Sequence, residues 1–149
     1  MTEPLKCVLY VSQSLIPAER EAFREQISEI MAQCDRNNRA DDITGALAYD
    51  RGRFFQYVEG PAEGIDALLE RLFEDERHTR VTIRADEPVE TRLFPDWSMV
   101  LLNITAAPVP GYATADLEAL SPGDLIARLQ RAAAEDAILA VARRPGARD

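Results

Sequence analysis

Residues 43–60, ITGALAYDRGRFFQYVEG, read as two short strands folded back on each other. Strand-like runs flank Asp50-Arg51-Gly52, and glycine accepts the positive φ that a tight hairpin turn needs. This unit fixes which side chains share a face. In the second run Phe54, Gln56 and Val58 fall on one side, and Phe55, Tyr57 and Glu59 on the other. Gln56 is then a primary amide on an otherwise apolar face. An amide buried without partners costs roughly 2–7 kcal/mol, so Gln56 is either exposed or hydrogen-bonded within the core.

The flanking sequence supplies the remaining elements. Residues 5–12, LKCVLYVS, are short and rich in strand formers. In residues 17–36 the positions Ala22, Phe23, Ile27, Ile30, Met31 and Cys34 form one helical stripe, with Glu19 and Glu21 suiting the first turn. Residues 37–42, NNRADD, break that pattern with types that prefer caps and turns. After the hairpin, Gly60 ends the strand and Pro61 suits the first turn of a helix striped by Ile65, Leu68, Leu69 and Leu72. EDERHTR (74–80) is a polar connection, VTIRA (81–85) a strand, EPVETRLFPD (87–96) a turn-rich stretch and WSMVLLN (97–103) a further strand.

The order β-α-β-β-α-β-β predicts an α+β, ferredoxin-like fold with an added strand, both helices lying on one face of an antiparallel-rich sheet. In the first strand Val8, Tyr10 and Ser12 oppose Cys7, Leu9 and Val11. In the last, Trp97, Met99 and Leu101 oppose Ser98, Val100 and Leu102. Both faces are largely apolar, so both need cover. Two tail helices are expected to provide it on the opposite sheet face: TADLEAL (114–120), and residues 121–144 with a stripe at Leu125, Leu129, Ala133 and Val141. ITAAPVPGYA (104–113) is linker-like. The expected division is a domain at 1–103 and a linker with a helical extension at 104–149.

At 149 residues, 46% apolar and 29% charged, the chain reads as a globular protein able to bury a core. A net charge of −9, without a basic face, argues against nucleic acid. Cys7 and Cys34 make neither a disulfide framework nor a metal motif. No run approaches the ~18 apolar residues of a spanning helix, and MTEPLKC is unlike a signal peptide. A cytoplasmic location is expected, with no membrane association. Neither GxGxxG nor GxxxxGK[ST] occurs. The lone His78, in a charged loop, reads as a solvated residue, and Asp41-Asp42 and Glu74-Asp75-Glu76 as solvated faces. No acid–base pair stands out, so no enzyme is expected.

What does stand out is a polar set on otherwise apolar positions: Tyr10, Ser12 and Gln56, with Asn37 and Asn38 closing the first helix and Trp97 and Met99 sharing one face of the last strand. Singly, each has a plain explanation, such as a core tyrosine bonded to Gln56 or asparagines forming a C-cap. Together a phenol, an amide and a thioether with two amides at the rim suit a flat heteroaromatic ring carrying donors and acceptors along one edge.

From about residue 5 to 102 the chain resembles the BLUF domain, a flavin-binding blue-light sensor module. The resemblance is carried by LYVSQS (9–14), RNNRADDITGALAYDRGRFFQYVEG (36–60), EDERH (74–78) and FPDWSM (94–99). It implies a ferredoxin-like fold with the flavin between two helices; FAD is the expected form, FMN and riboflavin the alternatives. It implies that Tyr10 is the photoactive electron and proton donor, and that Gln56 lies between it and the flavin edge and rearranges after excitation. Asn38 would bond the ring, with Asn37 beside it. Arg71 would approach the C2 carbonyl edge, Ile30 and Leu72 would sandwich the ring, and Ser12 would lie near Tyr10. Trp97 and Met99 would relay the change across the sheet, to the C-terminal helices or to a separate downstream protein. A homo-oligomer is the expected assembly, although Leu125, Leu129 and Val141 could equally pack on their own sheet. Two other classes compete: an acylphosphatase-type hydrolase, faintly echoed by RNN but lacking a Gly-rich anion loop in SQSLIPAER, and a flavin-free interaction module.

Overall fold

The computed structural model describes residues 4–14, 20–50, 53–74, 78–95, 97–102, 121–134 and 138–143. The elements are β1 (Leu5–Ser14), α1 (Arg20–Asp41), β2 (Thr44–Asp50), β3 (Arg53–Pro61), α2 (Ala62–Glu74), β4 (His78–Val89), β5 (Trp97–Leu102), α3 (Pro122–Ala134) and β6 (Ile138–Arg143). They build one sheet in the order β4-β1-β3-β2-β5-β6. The first four strands pair antiparallel, β5 joins β2 in parallel, and β6 closes antiparallel on β5. The ferredoxin-like order is therefore present, extended by two strands beyond β2.

Both sheet faces are covered, as the apolar pattern requires. On one side Val8, Tyr10, Leu47, Phe54, Val58 and Met99 pack with Ile27 and Met31 of α1 and Ile65, Leu68 and Leu72 of α2. On the other, Cys7, Leu9, Val11, Phe55, Tyr57 and Val100 pack with Leu125, Leu129 and Ala132 of α3. β2 and β3 approach closely at Gly45, where a Cβ would lie 2.1 Å from the Tyr57 carbonyl oxygen. Only glycine fits that contact.

Three expectations are corrected. α1 does not stop at Arg36: it runs through Asn37 and Asn38 to Asp41. It ends with Asp42 in the left-handed region at φ 56. The Ile43 amide returns to the Asn38 carbonyl at 2.8 Å and the Asp42 amide to Arg39 at 3.4 Å, the paired bonds of a Schellman motif. Asparagine is a poor helix former, but tertiary bonds from Asn38 override that propensity. In the tail, the described helix covers Pro122–Ala134, and residues 138–143 form β6 rather than more helix. The apolar stretch ILAVAR pairs along β5 and satisfies a backbone edge that would otherwise stay open. Pro61, finally, is the last residue of β3 rather than the first of α2. The hairpin turn at 51–52, the linker at 104–113 and the short helix expected at 114–120 lie outside the described residues.

Candidate functional site

The site begins with strand register. Tyr10 of β1 lies directly opposite Gln56 of β3, and Gln56 opposite Leu47 of β2. Directly opposed side chains on one face are in contact range. The Tyr10 hydroxyl donates to Gln56 Oε1. Gln56 Nε2 faces Met99 Sδ at 3.8 Å, a weak acceptor. Tyr10, Gln56 and Met99 are all buried. The amide is thus partnered at both ends, which resolves how an apolar face tolerates it.

Above this pair opens a cavity of about 480 Å³ between α1 and α2. Of the residues expected at the site, Tyr10, Ile30, Asn37, Asn38, Gln56, Arg71 and Leu72 line it. Tyr10 and Gln56 form part of its floor, and Leu47 and Phe54 extend it across the same sheet face. Asn38 is almost wholly buried; its Nδ2 donates to the Ser98 carbonyl at 2.7 Å. It is a mid-turn helical residue bonded to β5 and not a C-cap. Arg71 pairs with Asp41 at 3.1 Å, so Asp41 is a partner at the cavity rim and not part of a solvated face.

Three expected residues stand apart from the lining. Ser12 is buried beside Tyr10 along β1 and opposite Phe54. Met99 sits behind Gln56. Trp97 does not share a face with Met99: it packs, half-buried, against the cluster on the α3 side. The cause is a bulge. Trp97 pairs with Arg143 and Met99 with Ala142, so Ser98 is an extra residue on β5. A bulge resets the alternation of faces.

Gln33, Cys34, Leu47, Phe54, Leu68 and Glu74 also line the cavity, though none was expected at the site. Cys34 had a usable signal, since it stands one turn from both Ile30 and Asn38 on the same helical face.

A second buried polar group supports the site from behind. Glu59, wholly buried on the α3 face of β3, accepts from the Tyr57 hydroxyl at 2.9 Å and from the Leu93 and Phe94 amides at 2.9 and 2.7 Å. Arg92 reaches the Glu59 carbonyl at 3.3 Å, and the Asp42 carbonyl and carboxylate at 2.8 and 3.1 Å. The segment that leads into Trp97 is thereby tied to β3 and to the end of α1. Burial pushes the Tyr57 phenol far above its ordinary value, and the Glu59 carboxylate adds to the shift. Burial likewise raises the Cys7 thiol, against a hydrogen bond with Tyr57 that lowers it.

Comparison with known proteins agrees with this geometry. The chain is 35% identical over 96 residues to the photoactivated adenylate cyclase subunit beta of Euglena gracilis, a match covering 64% of this chain and 11% of that protein. It therefore spans about a tenth of that relative's length. Among solved structures, the dark state of the BLUF protein BlrB superposes with a TM-score of 0.69 at 31% identity, covering 91% of this chain and 99% of that one. The photo-activated state of BlsA has a TM-score of 0.73 at 23% identity over 86% of this chain and 94% of that one, a likeness of fold. The model of the family "BLUF: Sensors of blue-light using FAD" matches residues 5–100. Those residues hold the whole Tyr10–Gln56–Met99 arrangement and its cavity, and the chain belongs to the BLUF family of flavin-binding blue-light sensors.

Proposed function

We propose that the chain signals blue light by exchanging the hydrogen-bond partners of Gln56 between Tyr10, Met99 and a flavin ring held in the α1–α2 cavity. The observation that carries this reading is the register that sets Tyr10 opposite Gln56 at the cavity floor, with the amide engaged at both ends. The lining suits a flavin: apolar walls from Ile30, Leu47, Phe54 and Leu72, and a polar edge from Asn38 and Gln56. A bound flavin supplies blue-light absorption and, once excited, an electron acceptor.

The chain's own residues do the rest. Tyr10 gives its electron to the excited ring and its phenolic proton along its hydrogen bond to Gln56 Oε1, and both return as the resting state recovers. Gln56 carries a donor and an acceptor on one short side chain, so it exchanges partners by turning or by tautomerising. Asn38 and Asn37 orient the ring, Arg71 stands near its outer edge, and Ser12 supports Tyr10. Met99 senses the Gln56 amide from behind, while Trp97 lies two residues away on the opposite face, where α3 packs.

FAD is the favoured form. Asp41 and Glu74 near the Arg71 rim make the site's grip on the ring rather than on phosphates, so FMN and riboflavin also fit. The output is a shifted conformational equilibrium passed to a separate protein or to an oligomeric contact, in the cytoplasm and without catalytic turnover. Cyclase activity of the longer relative is not carried over to this chain. Family membership sets aside the acylphosphatase-type alternative.

The test is Tyr10→Phe. Loaded with flavin, that variant is expected to stay yellow but to lack the light-induced band shift expected of the unmodified chain. A full, reversible shift in Tyr10→Phe would overturn the assignment of Tyr10.

A further inference from the structure

Asp35 lies one turn before Asn38 on the same face of α1, and both side chains reach a single residue of β5. The Ser98 hydroxyl donates to Asp35 Oδ1 at 2.8 Å, and Asn38 Nδ2 donates to the Ser98 carbonyl at 2.7 Å. Arg39 Nε donates to the same Asp35 oxygen at 2.6 Å. Ser98 is wholly buried and is the extra residue of the β5 bulge. In an unbulged strand Trp97 and Met99, two apart, would share a face. Here Ser98 and Met99 both turn toward α1, and Trp97 turns to the α3 side. The helix that lines the cavity thus grips, by one hydroxyl and one carbonyl, the residue that decides which way its two neighbours point.

We propose that Asp35 is a positioning residue: through Ser98 it holds the β5 bulge in the register that directs Met99 at Gln56 and Trp97 away from it. The inference deepens the photoreceptor reading in its consequence, while its geometric part stands without it. Trp97 is the chain's one tryptophan, so tryptophan emission reports on this position alone.

The experiment compares the full chain with Asp35→Ala, Ser98→Ala and Asp35→Asn. Each is checked for folding by circular dichroism, then measured for Trp97 emission without added flavin and for the light-minus-dark flavin spectrum after FAD loading. Asp35→Ala and Ser98→Ala are expected to displace the Trp97 emission maximum and to lose part of the light-induced shift. Asp35→Asn, whose amide oxygen still accepts from Ser98, is expected to restore both. Wild-type emission in folded Asp35→Ala overturns the proposal. Equal displacement in Asp35→Ala and Asp35→Asn also overturns it, because the charge and not the hydrogen bond would then be responsible. If the unmodified chain takes up no flavin or does not respond to light, the photoreceptor reading fails. The emission comparison then still decides the role of Asp35.

Discussion

Gln56 is 6% exposed, and a leucine would fill its place among Leu47, Phe54 and Tyr10 with less risk to the core. Keeping an amide there costs desolvation, which the Tyr10 and Met99 contacts offset. Gln56→Leu removes the Gln56 acceptor of the buried Tyr10 hydroxyl, and a lost hydrogen bond of this kind costs about 0.5–1.5 kcal/mol. Urea unfolding of this variant should show a loss of that size, and its flavin spectrum should not respond to light. A variant as stable as the parent would mean that Tyr10 finds another acceptor. Alternation marked Tyr10 and Gln56 as polar residues on largely apolar strand faces, and the BLUF resemblance implied their pairing; the register that sets them opposite each other is not written in either strand alone. The Met99 contact was legible only in part. The alternation put Met99 on the correct face, but nothing local announced that Ser98 would be a bulge.

The elements show where sequence patterns mislead. Asn37 and Asn38 read as a helix end because their types favour caps, yet α1 continues one further turn. Its stopping point is set by Asp42 in the left-handed region and by the bonds of Arg92 to Asp42, contacts fifty residues apart in sequence. Residues 138–143 had a helical spacing at Val141 but met the open edge of β5, and pairing decided their fate. Glu59 escaped notice because a carboxylate at a strand end usually points to water. Its role lies in orienting the 92–94 segment that feeds β5. Glu59→Ala leaves the Tyr57 hydroxyl and the Leu93 and Phe94 amides without their acceptor, a loss of about 3 kcal/mol or more. Chemical denaturation checks the magnitude, and a change below about 1 kcal/mol would show that water replaces the carboxylate. Trp97 lies three residues beyond Phe94, so the folded fraction of Glu59→Ala should also show altered tryptophan emission.

Across the whole molecule the sheet separates two cores, one lining the cavity and one closed by α3. The second holds Tyr57 and Cys7, two groups whose titration folding shifts. Tyr57 and Cys7 are both raised in the folded state, chiefly by burial, from ordinary values of 10.0 and 9.0. The unfolded chain therefore releases these protons first as pH rises. The stability they contribute is complete below pH 9.0 and declines as pH climbs through and beyond 10.0. Lys6, raised mainly by its hydrogen bond to Asp66 at 3.0 Å, adds in the same direction above 10.5. Unfolding midpoints at successive alkaline pH values should fall, and Tyr57→Phe should fall less steeply than the parent. Equal slopes would place the alkaline sensitivity elsewhere.

The proposed light signal has a route in the same two-sided build: Gln56 lines the cavity, Met99 lies behind it on the same sheet face, and Trp97 and α3 lie on the other face. The measurement closest to this account is the absorption spectrum of the flavin-loaded chain in the dark, after blue light, and during return to darkness. A flavin band that moves slightly to the red and recovers unaided is the expected result, reporting a strengthened hydrogen bond at the ring from Gln56. A band that bleaches, or a chain that stays colourless after incubation with flavin, would contradict it.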